Sequence, residues 1–346
     1  MTSLHHNPGR MDGSPTVIPP RPWPVASVLE RVRGSARLGM HGHAHELTFG
    51  AMGTNCRVQF ASPGGNARRV ADAVVEWVAG FEAKYSRFID DSLASQINAA
   101  AGGPWMALDA EADRLVTLCD QLVFMTRGIL DPTALPLIRL WDWKKARIPT
   151  DDEVAAAMPL VGWRQVQHAP GRIRLPLPGM ALDFGGVGKE FAVDQVILLL
   201  ARAGVTSALV DFGADVRVIG LPADGRPAWK IGLDDPLNPG TPWTHLVLRE
   251  GAVATSGDYV RGFEAGGRRY GHIVDPRTGR PVDQGVLAAS VFAPSCTQAG
   301  MLSTAACVLG PVEGRRLLES SPGIHGCIVT RKGTVTTSRF HEYVST

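Results

Sequence analysis

Residues 179–220 contain the pattern that most constrains the fold, because strand-like, glycine-rich and helical segments follow one another there. "GMALDFGG" predicts a strand that enters a glycine turn, and "KEFAVDQVILLLARAG" predicts a helix that ends at Gly204. "SALVDFGADVRVIG" predicts another strand interrupted by glycine. Elsewhere, predicted strands occur in clusters with helices between the clusters. This distribution favours an α+β fold over strict βαβ alternation.

The rest of the chain extends the same pattern. "ELTFGAMGTNCRVQF" alternates like a strand broken at Met52-Gly53-Thr54, and residues 66–88 and 109–128 have the apolar spacing of helices. After residue 228, four strand-like segments occur, and "CTQAGMLSTAACVLG" predicts a helix before the last of them. No clean linker divides residues 46–346, so we expect one domain there.

Residues 1–45 are rich in Pro, Gly, Ser and His, and this composition predicts a mostly disordered leader. His41, His43 and His45 alternate within it, so on a strand they would share one face and form a possible metal trio. The alternative is a polar segment beside the first strand. We favour that alternative, since no cysteine or carboxylate pattern completes a site.

Charge and cysteine content exclude several classes of protein. The net charge of +2 gives no basic field for nucleic acid or an anionic membrane. The five cysteines are scattered without a CxxC pair, which argues against a disulfide framework or zinc knuckle and suits a reducing compartment. No apolar run approaches the ~20 residues of a membrane span. The N-terminus lacks the apolar core of a secretory signal, so we expect a cytoplasmic protein.

Two segments have the form of binding turns. "LDFGGVGKEFAVD" places a glycine turn and Lys189 at a helix start, where backbone N–H groups can hold phosphate oxygens. It is neither a Walker A loop nor a dinucleotide fingerprint, and a tight turn that needs small residues explains it equally well. "GILDPTALPLIRLWDW" places an Asp-Pro-Thr turn before two tryptophans, and the alternative there is a capped helix with buried aromatics.

Eight segments, taken in order, resemble the successive signatures of the ApbE-like FAD:protein FMN transferase family. They are Met52-Gly53-Thr54, SRFIDDSLASQIN, LDPTALPL with LWDW, LDFGGVGKEFAVD, LVDFGADVRVIG, ATSGDYVRGF, YGHIVDPRTGRPV and SVFAPSCTQAGMLSTAACVLG. The resemblance runs from about residue 47 to the C-terminus. It implies a single large ApbE-like α+β domain, with mixed and antiparallel sheets and packed helices, after the leader.

The resemblance also implies an activity. Members of the family transfer FMN from FAD to a threonine hydroxyl of an acceptor protein, release AMP and use Mg²⁺. Attack of an alcohol on a pyrophosphate requires positioned phosphates, a metal ion that neutralises charge and removal of the hydroxyl proton. The implied partners are therefore FAD and a threonine-bearing protein. The alternatives are a non-catalytic FAD-binding protein and an FAD pyrophosphatase.

The family's functional positions are carried over by motif. His272 is the candidate general base, since an imidazole titrates near neutral pH; the alternative is a structural histidine. The expected FAD contacts are Met52, Phe88, Ile129, Leu130, Asp131, Asp183, Lys189, Val274 and Asp275. The expected Mg²⁺ contacts are the Gly186 backbone, Ser303 and Thr304.

Two positions depart from the family pattern. Gly300 stands where the family usually has an aspartate that binds Mg²⁺, and Glu190 stands where it more often has glycine. Substrate phosphates and water could still hold the ion, with Ser303 and Thr304 contributing. Asp258 or Asp275 could also substitute for the missing carboxylate if the fold brings one of them close. The sequence also predicts that Gly300→Asp tightens the dependence on Mg²⁺.

Overall fold

The computed structural model describes residues 16–257 and 262–345. The α-helices in these residues are α1 Val25–Ser35, α2 Ala67–Tyr85, α3 Leu93–Ala99, α4 Ala110–Met125, α5 Leu135–Ile138, α6 Asp151–Ala157, α7 Gly188–Arg202 and α8 Cys296–Glu319. The first strands are β1 Val17–Ile18, β2 Arg37–His41, β3 Ala44–Ala51, β4 Thr54–Phe60, β5 Trp105–Ala107, β6 Gln167–Ala169, β7 Arg172–Arg174, β8 Ala208–Phe212 and β9 Asp215–Ile219. The remaining strands are β10 Trp229–Asp235, β11 Asn238–Leu248, β12 Gly251–Gly257, β13 Gly262–Ala265, β14 Arg268–Gly271, β15 Val274–Asp275, β16 Arg280–Pro281, β17 Val286–Ala293, β18 His325–Thr330 and β19 Gly333–Thr336.

The main sheet is antiparallel throughout. Within the described residues it contains nine strands in the order β19-β18-β17-β12-β9-β8-β4-β3-β2. A smaller sheet is mixed, because β1 pairs in parallel with β5 while β7 runs antiparallel to both β5 and β6. The expected α+β fold with mixed and antiparallel sheets is therefore confirmed.

The core lies mainly on one face of the main sheet. Helices α2, α7 and α8 bury their apolar residues there, together with strand residues such as Val58 and Val210. A second apolar cluster joins the β10–β11 hairpin to β9 and β12 through Trp229, Val218 and Val253. Both faces of the central strands are consequently covered, and in the described residues no helix is long and apolar enough to cross a membrane.

Four features of the chain lie at one end of the main sheet. The β3–β4 turn at Met52-Gly53 lies at the end where β8 turns into β9, because Cys56 pairs with Phe212. The β12 strand reaches the same end at Gly257, since its Gly251 pairs with Val218 of β9 at the far end. Helix α7 begins there too, because Lys189 forms an ion pair with Asp215 at the start of β9. Motifs that are far apart in the sequence therefore lie together at this end of the sheet.

The structure corrects the leader prediction over residues 16–45. Helix α1 buries Val28 and Val32 in the core, and β2 pairs with β3. The Pro-rich segment before α1 is held by Gln96, which accepts from the Arg21 backbone N–H and donates to its carbonyl. The composition predicted disorder because this region contains few apolar residues. Those few are spaced so that they pack into the core and hold the region in place. Residues 1–15 lie outside the described part.

Three further expectations meet different outcomes. His41 ends β2 whereas His45 lies on β3, with a turn between them, so the three histidines do not share one strand. Residues 180–183 form no strand; Asn98 accepts from the N–H of Leu182 and donates to its carbonyl. The predicted helix at residues 296–310 continues to Glu319 across a non-helical Gly310.

Candidate functional site

The glycine turn before α7 is organised by Asp183. One carboxylate oxygen of Asp183 accepts from the Gly185 N–H at 2.8 Å, and the other pairs with Arg87 at 2.9 Å. The Phe184 carbonyl accepts from the N–H groups of Val187 and Gly188 and so begins the helix. Several polar groups of the turn are therefore hydrogen-bonded to one another or to adjacent residues, as expected for a tight turn.

Distant motifs meet at this turn. The Asp183 N–H donates to the Pro132 carbonyl at 2.8 Å, and a Cβ at Gly186 would lie 4.0 Å from Leu130 Cδ2. Arg87, which pairs with Asp183, lies 4.2 Å from the ring centroid of Phe88. Phe88 is 79% exposed, which is unusual for an aromatic side chain and leaves it available to a planar ligand. Three of the predicted FAD-contacting segments are thus contiguous or linked.

Asp131 has a structural task in this arrangement. Its Oδ1 accepts from the Thr133 N–H at 2.8 Å and caps a short 3-10 helix, while its Oδ2 accepts from the Trp163 N–H at 2.9 Å. The capped-helix interpretation of this segment is confirmed for the carboxylate. Any contact of residue 131 with a nucleotide remains a prediction.

Met52 lies in the tight β3–β4 turn. It has a positive φ of 51°, and its N–H donates to Glu82 Oε2 at 3.0 Å. The neighbouring turn contains Gly213 with a φ of 64°, where a Cβ would overlap the Thr54 side chain. Glycine is required at residue 213 because the two turns pack against each other.

Three charged residues lie together at the start of α7. Lys189 forms an ion pair with Asp215, which is nearly fully buried, and Glu190 is buried beside them. Burial opposes the charge of Lys189, but the Asp215 and Glu190 carboxylates more than offset that cost and raise the pKa of Lys189. Burial, assisted by the Asp215 carboxylate, raises the pKa of Glu190. Lys189 therefore lies close to two carboxylates, as well as near the glycine turn.

The first turns of α8 carry the predicted metal-contacting hydroxyls. The hydroxyls of Ser303 and Thr304 each lie 2.7 Å from Ser256 Oγ on β12, and Ser303 Oγ also donates to the Gly300 carbonyl. A Cβ at Gly300 would overlap Glu190 Cγ and lie 2.9 Å from Glu190 Oε1. Helices α7 and α8 are thus in contact where Glu190 of α7 lies against Gly300 of α8.

Asp194 is a residue that the sequence analysis missed. Its carboxylate accepts from the backbone N–H groups of Cys296 and Thr297, from the Thr297 hydroxyl, and from Arg217. It therefore anchors the start of α8 from α7, and fixes the distance between Glu190 and Gly300. The signal available in the sequence was an aspartate four residues after Glu190, within a stretch of α7 that is mostly apolar from Phe191 to Ala201.

The segment around His272 forms a separate corner. Trp143 Nε1 donates to the Gly271 carbonyl at 3.0 Å, and Ile273 packs in a cluster with Ile129 and Val308 of α8. These contacts bring half-buried His272 close to the segment that contains Ile129. The catalytic role of His272 remains a prediction.

The turn after Val274 uses the Asp275 side chain. Val274 pairs with Pro281, and the Asp275 carboxylate accepts from Arg277 at 2.7 Å and 2.9 Å. The Asp275 carbonyl accepts from the Gly279 N–H and closes the turn. Asp275 already has a cationic partner, which weakens its case as a replacement metal ligand. Asp258, the other replacement considered, lies outside the described residues.

The residues present fit a divalent cation at the meeting point of α7 and α8. In the described part of the chain, no three His, Cys, Asp or Glu residues form a metal cluster. Mg²⁺, however, is commonly held by one or two carboxylates together with substrate phosphates and water. Glu190 Oε2 is buried and receives no hydrogen bond from the described residues. An unpaired buried carboxylate oxygen of this kind is what a cation would stabilise.

By fold and site, this is an α+β protein with a candidate site at one end of an antiparallel sheet, between the starts of two helices. The family model "ApbE family" matches residues 52–328. The chain is 32% identical to the FAD:protein FMN transferase of Treponema pallidum, over 86% of each chain. It is 29% identical to the enzyme of the same name from Vibrio cholerae, over 80% of this chain and 84% of the relative.

Solved structures agree with the sequence relatives. The ApbE protein of Thermotoga maritima superposes with a TM-score of 0.80 and 31% identity, covering 87% of this chain and 99% of that one. The Pseudomonas stutzeri flavinyl transferase ApbE superposes with a TM-score of 0.77 and 29% identity, covering 89% and 97%. The protein belongs to the ApbE family, as the order of its motifs predicts.

Proposed function

We propose that this protein transfers FMN from FAD to a threonine hydroxyl of an acceptor protein and releases AMP. The observation that carries the proposal is the similarity, over most of the chain, to relatives named FAD:protein FMN transferase. The site supports it, because the glycine turn, Leu130 and Lys189 lie near one another at one end of the sheet. These groups have the chemistry that a dinucleotide with two phosphates requires.

In the proposed reaction, the threonine oxygen attacks the phosphorus on the FMN side of the pyrophosphate. The new bond is a P–O phosphoester to threonine, and the bond that breaks joins this phosphorus to the bridging oxygen, which leaves with AMP. His272 accepts the threonine proton. Lys189 balances charge on the phosphates, with Asp215 fixing its position. Phe88 and Met52 contact the flavin, while residues 129–131, Asp183 and residues 274–275 border the nucleotide.

Mg²⁺ is part of the proposal, held by the Gly186 backbone, Ser303 and Thr304 together with substrate phosphates. When bound, it neutralises the charge that develops on the pyrophosphate. For the acceptor, we propose only that it is a protein with an accessible threonine. A cytoplasmic location remains a proposal, supported by five buried thiols that suit a reducing compartment. Cell fractionation would test the location.

The function is tested by incubating the protein with FAD, Mg²⁺ and a threonine-bearing acceptor domain that a related transferase modifies. We expect the acceptor to gain the mass of one FMN and AMP to appear in equal amount. AMP and free FMN with an unmodified acceptor would indicate a pyrophosphatase instead. Bound FAD with neither product would contradict an enzymatic function.

The role of His272 has its own test. We expect His272→Asn to lower the rate of FMN transfer by about 10²–10⁴-fold, because general base catalysis is lost. FAD binding, followed by flavin fluorescence, should persist. His341→Asn is the matched control, since His341 is exposed on the C-terminal 3-10 helix. Equal transfer by the two variants would remove His272 from the mechanism.

A further inference from the structure

At the α7–α8 contact, a residue without a side chain on α8 lies against a large side chain on α7. Gly300 has no side chain, and the space into which its Cβ would point is filled by Glu190, whose Oε1 would lie 2.9 Å from that Cβ. A Cβ contact under 3.0 Å requires the neighbour to move. An aspartate at residue 300 and a glutamate at residue 190 therefore compete for one space. The two departures from the family pattern are physically coupled.

The carboxyl group of Glu190 is buried in this space, and one of its oxygens lacks a hydrogen-bond donor in the described part of the chain. The residue is 8% exposed, and its Oε2 receives no hydrogen bond from the described residues. The nearby cation, Lys189, forms its ion pair with Asp215. Burial opposes ionisation of this carboxyl group, and a cation beside it would offset that cost and favour the ionised form.

The surroundings of Glu190 suit a hard cation. Gly300 lies three and four residues before Ser303 and Thr304, on the same face of α8. Ser303 and Thr304 share a hydroxyl network with Ser256 on β12. Asp194 fixes the start of α8 against α7 and so holds the carboxylate and the hydroxyl-bearing helix in register. Carboxylate and hydroxyl oxygens are ligands that Mg²⁺ accepts.

We propose that Glu190 supplies, from α7, the metal-binding carboxylate that residue 300 of α8 lacks. The inference rests on the proposed function for its choice of metal. It also replaces the prediction made for Gly300→Asp from the sequence. In the single variant two carboxylates would occupy one space, so we expect a loss of stability rather than a tighter dependence on Mg²⁺.

The test uses Mn²⁺ as the probe, with binding measured by calorimetry or electron paramagnetic resonance on the FAD-loaded protein. Glu190→Gln retains the shape of the side chain and removes its charge, and we expect it to weaken Mn²⁺ binding by about tenfold or more. The double variant Glu190→Gly with Gly300→Asp should recover binding to within about threefold of the parent, because it returns the carboxylate to α8. Glu313→Gln, an exposed change on α8, is the charge control and should leave Mn²⁺ binding unaltered.

A purely structural role for Glu190 gives different results. It predicts unchanged Mn²⁺ binding in Glu190→Gln, and that outcome would overturn the inference, as would a parent protein that binds no Mn²⁺. Thermal unfolding of the metal-free variant is the second measurement. We expect it to be at least as stable as the parent, because the variant no longer buries an ionisable carboxyl group. If Glu190→Gln binds Mn²⁺ normally while the parent transfers FMN, only this inference fails. If Glu190 governs Mn²⁺ binding but no FMN is transferred, the proposed function fails instead.

Discussion

At the scale of the residue, several side chains support the site without belonging to its expected ligands. Asp194 is the clearest case, because one buried carboxylate holds two backbone N–H groups, a hydroxyl and Arg217. Asp131 acts similarly on the loop that meets the glycine turn. Both are acids whose function is to fix backbone, so they determine where the reactive groups lie.

We expect Asp194→Ala to lower the free energy of unfolding by about 3 kcal/mol. The change removes the acceptor of the Cys296 and Thr297 N–H groups at the start of α8 and leaves the Arg217 guanidinium without its buried partner. Urea denaturation followed by circular dichroism measures the effect. Asp72→Ala is the control, since Asp72 pairs with Arg68 on the surface and should contribute less than about 1 kcal/mol. Equal losses in the two variants would show that Asp194 is not an anchor.

Individual residues were predicted unevenly from the sequence. Motif order located the Met52 turn, the Asp183–Lys189 turn and the two hydroxyls of α8 at positions that the fold brings to one end of the sheet. It could not reveal that Glu190 occupies the space beside Gly300, because that contact joins residues far apart in sequence. The two substitutions were visible, but their coupling depends on the three-dimensional packing of α7 on α8.

At the scale of the element, periodicity predicted the long helices well and short or irregular segments poorly. Helices α2 and α4 have strong apolar spacing and fall within the predicted segments. Residues 180–183 were predicted as a strand because they are apolar, yet Asn98 satisfies Leu182 where a neighbouring strand would do so. The helix predicted at residues 296–310 was correct in type but too short, because α8 continues through Pro311 to Glu319.

The break in α8 requires glycine. Gly310 has φ 81° and ψ 177°, a region that is nearly restricted to glycine, and a Cβ there would lie 3.2 Å from Gln284 Cβ. We expect Gly310→Ala to destabilise the protein by about 1–3 kcal/mol in urea denaturation. Gly34→Ala on α1 is the opposite control, since its Cβ would meet open space and the helix would gain up to about 1 kcal/mol. If both variants changed the free energy of unfolding by a similar amount in the same direction, Gly310 would not be specifically required at the break.

At the scale of the whole molecule, one antiparallel sheet organises the site. The composition and the alternation of strands and helices were sufficient to predict an α+β fold, and the family resemblance supplied its detail. The structured part of residues 16–45 was missed because α1 contributes few core residues, notably Val28 and Val32. Such a short apolar stripe gives a weak signal in a Pro-rich and Gly-rich context. The main core cluster is large and includes Cys56, Cys119, Cys296 and Cys307, while Cys327 lies in the second cluster.

The buried cysteines provide a probe of that core. All five thiols are buried, and burial raises the pKa of Cys56 and of Cys327 to about 12. At pH 8 these thiols are protonated as well as inaccessible, and only the thiolate reacts with a disulfide reagent. We therefore expect the native protein to react with a chromogenic disulfide no faster than it unfolds, and all five thiols to react at once in guanidinium.

Met40→Cys is the positive control for this reaction. Met40 is 62% exposed on β2, so a thiol there should react within seconds to minutes while the five natural ones stay protected. A natural cysteine that reacts as fast as this control would show local opening. If it were Cys296, the start of α8 would open independently of the sheet. The helix that carries Ser303 and Thr304 would then be a dynamic part of the site, and FAD should slow that reaction by binding the closed form.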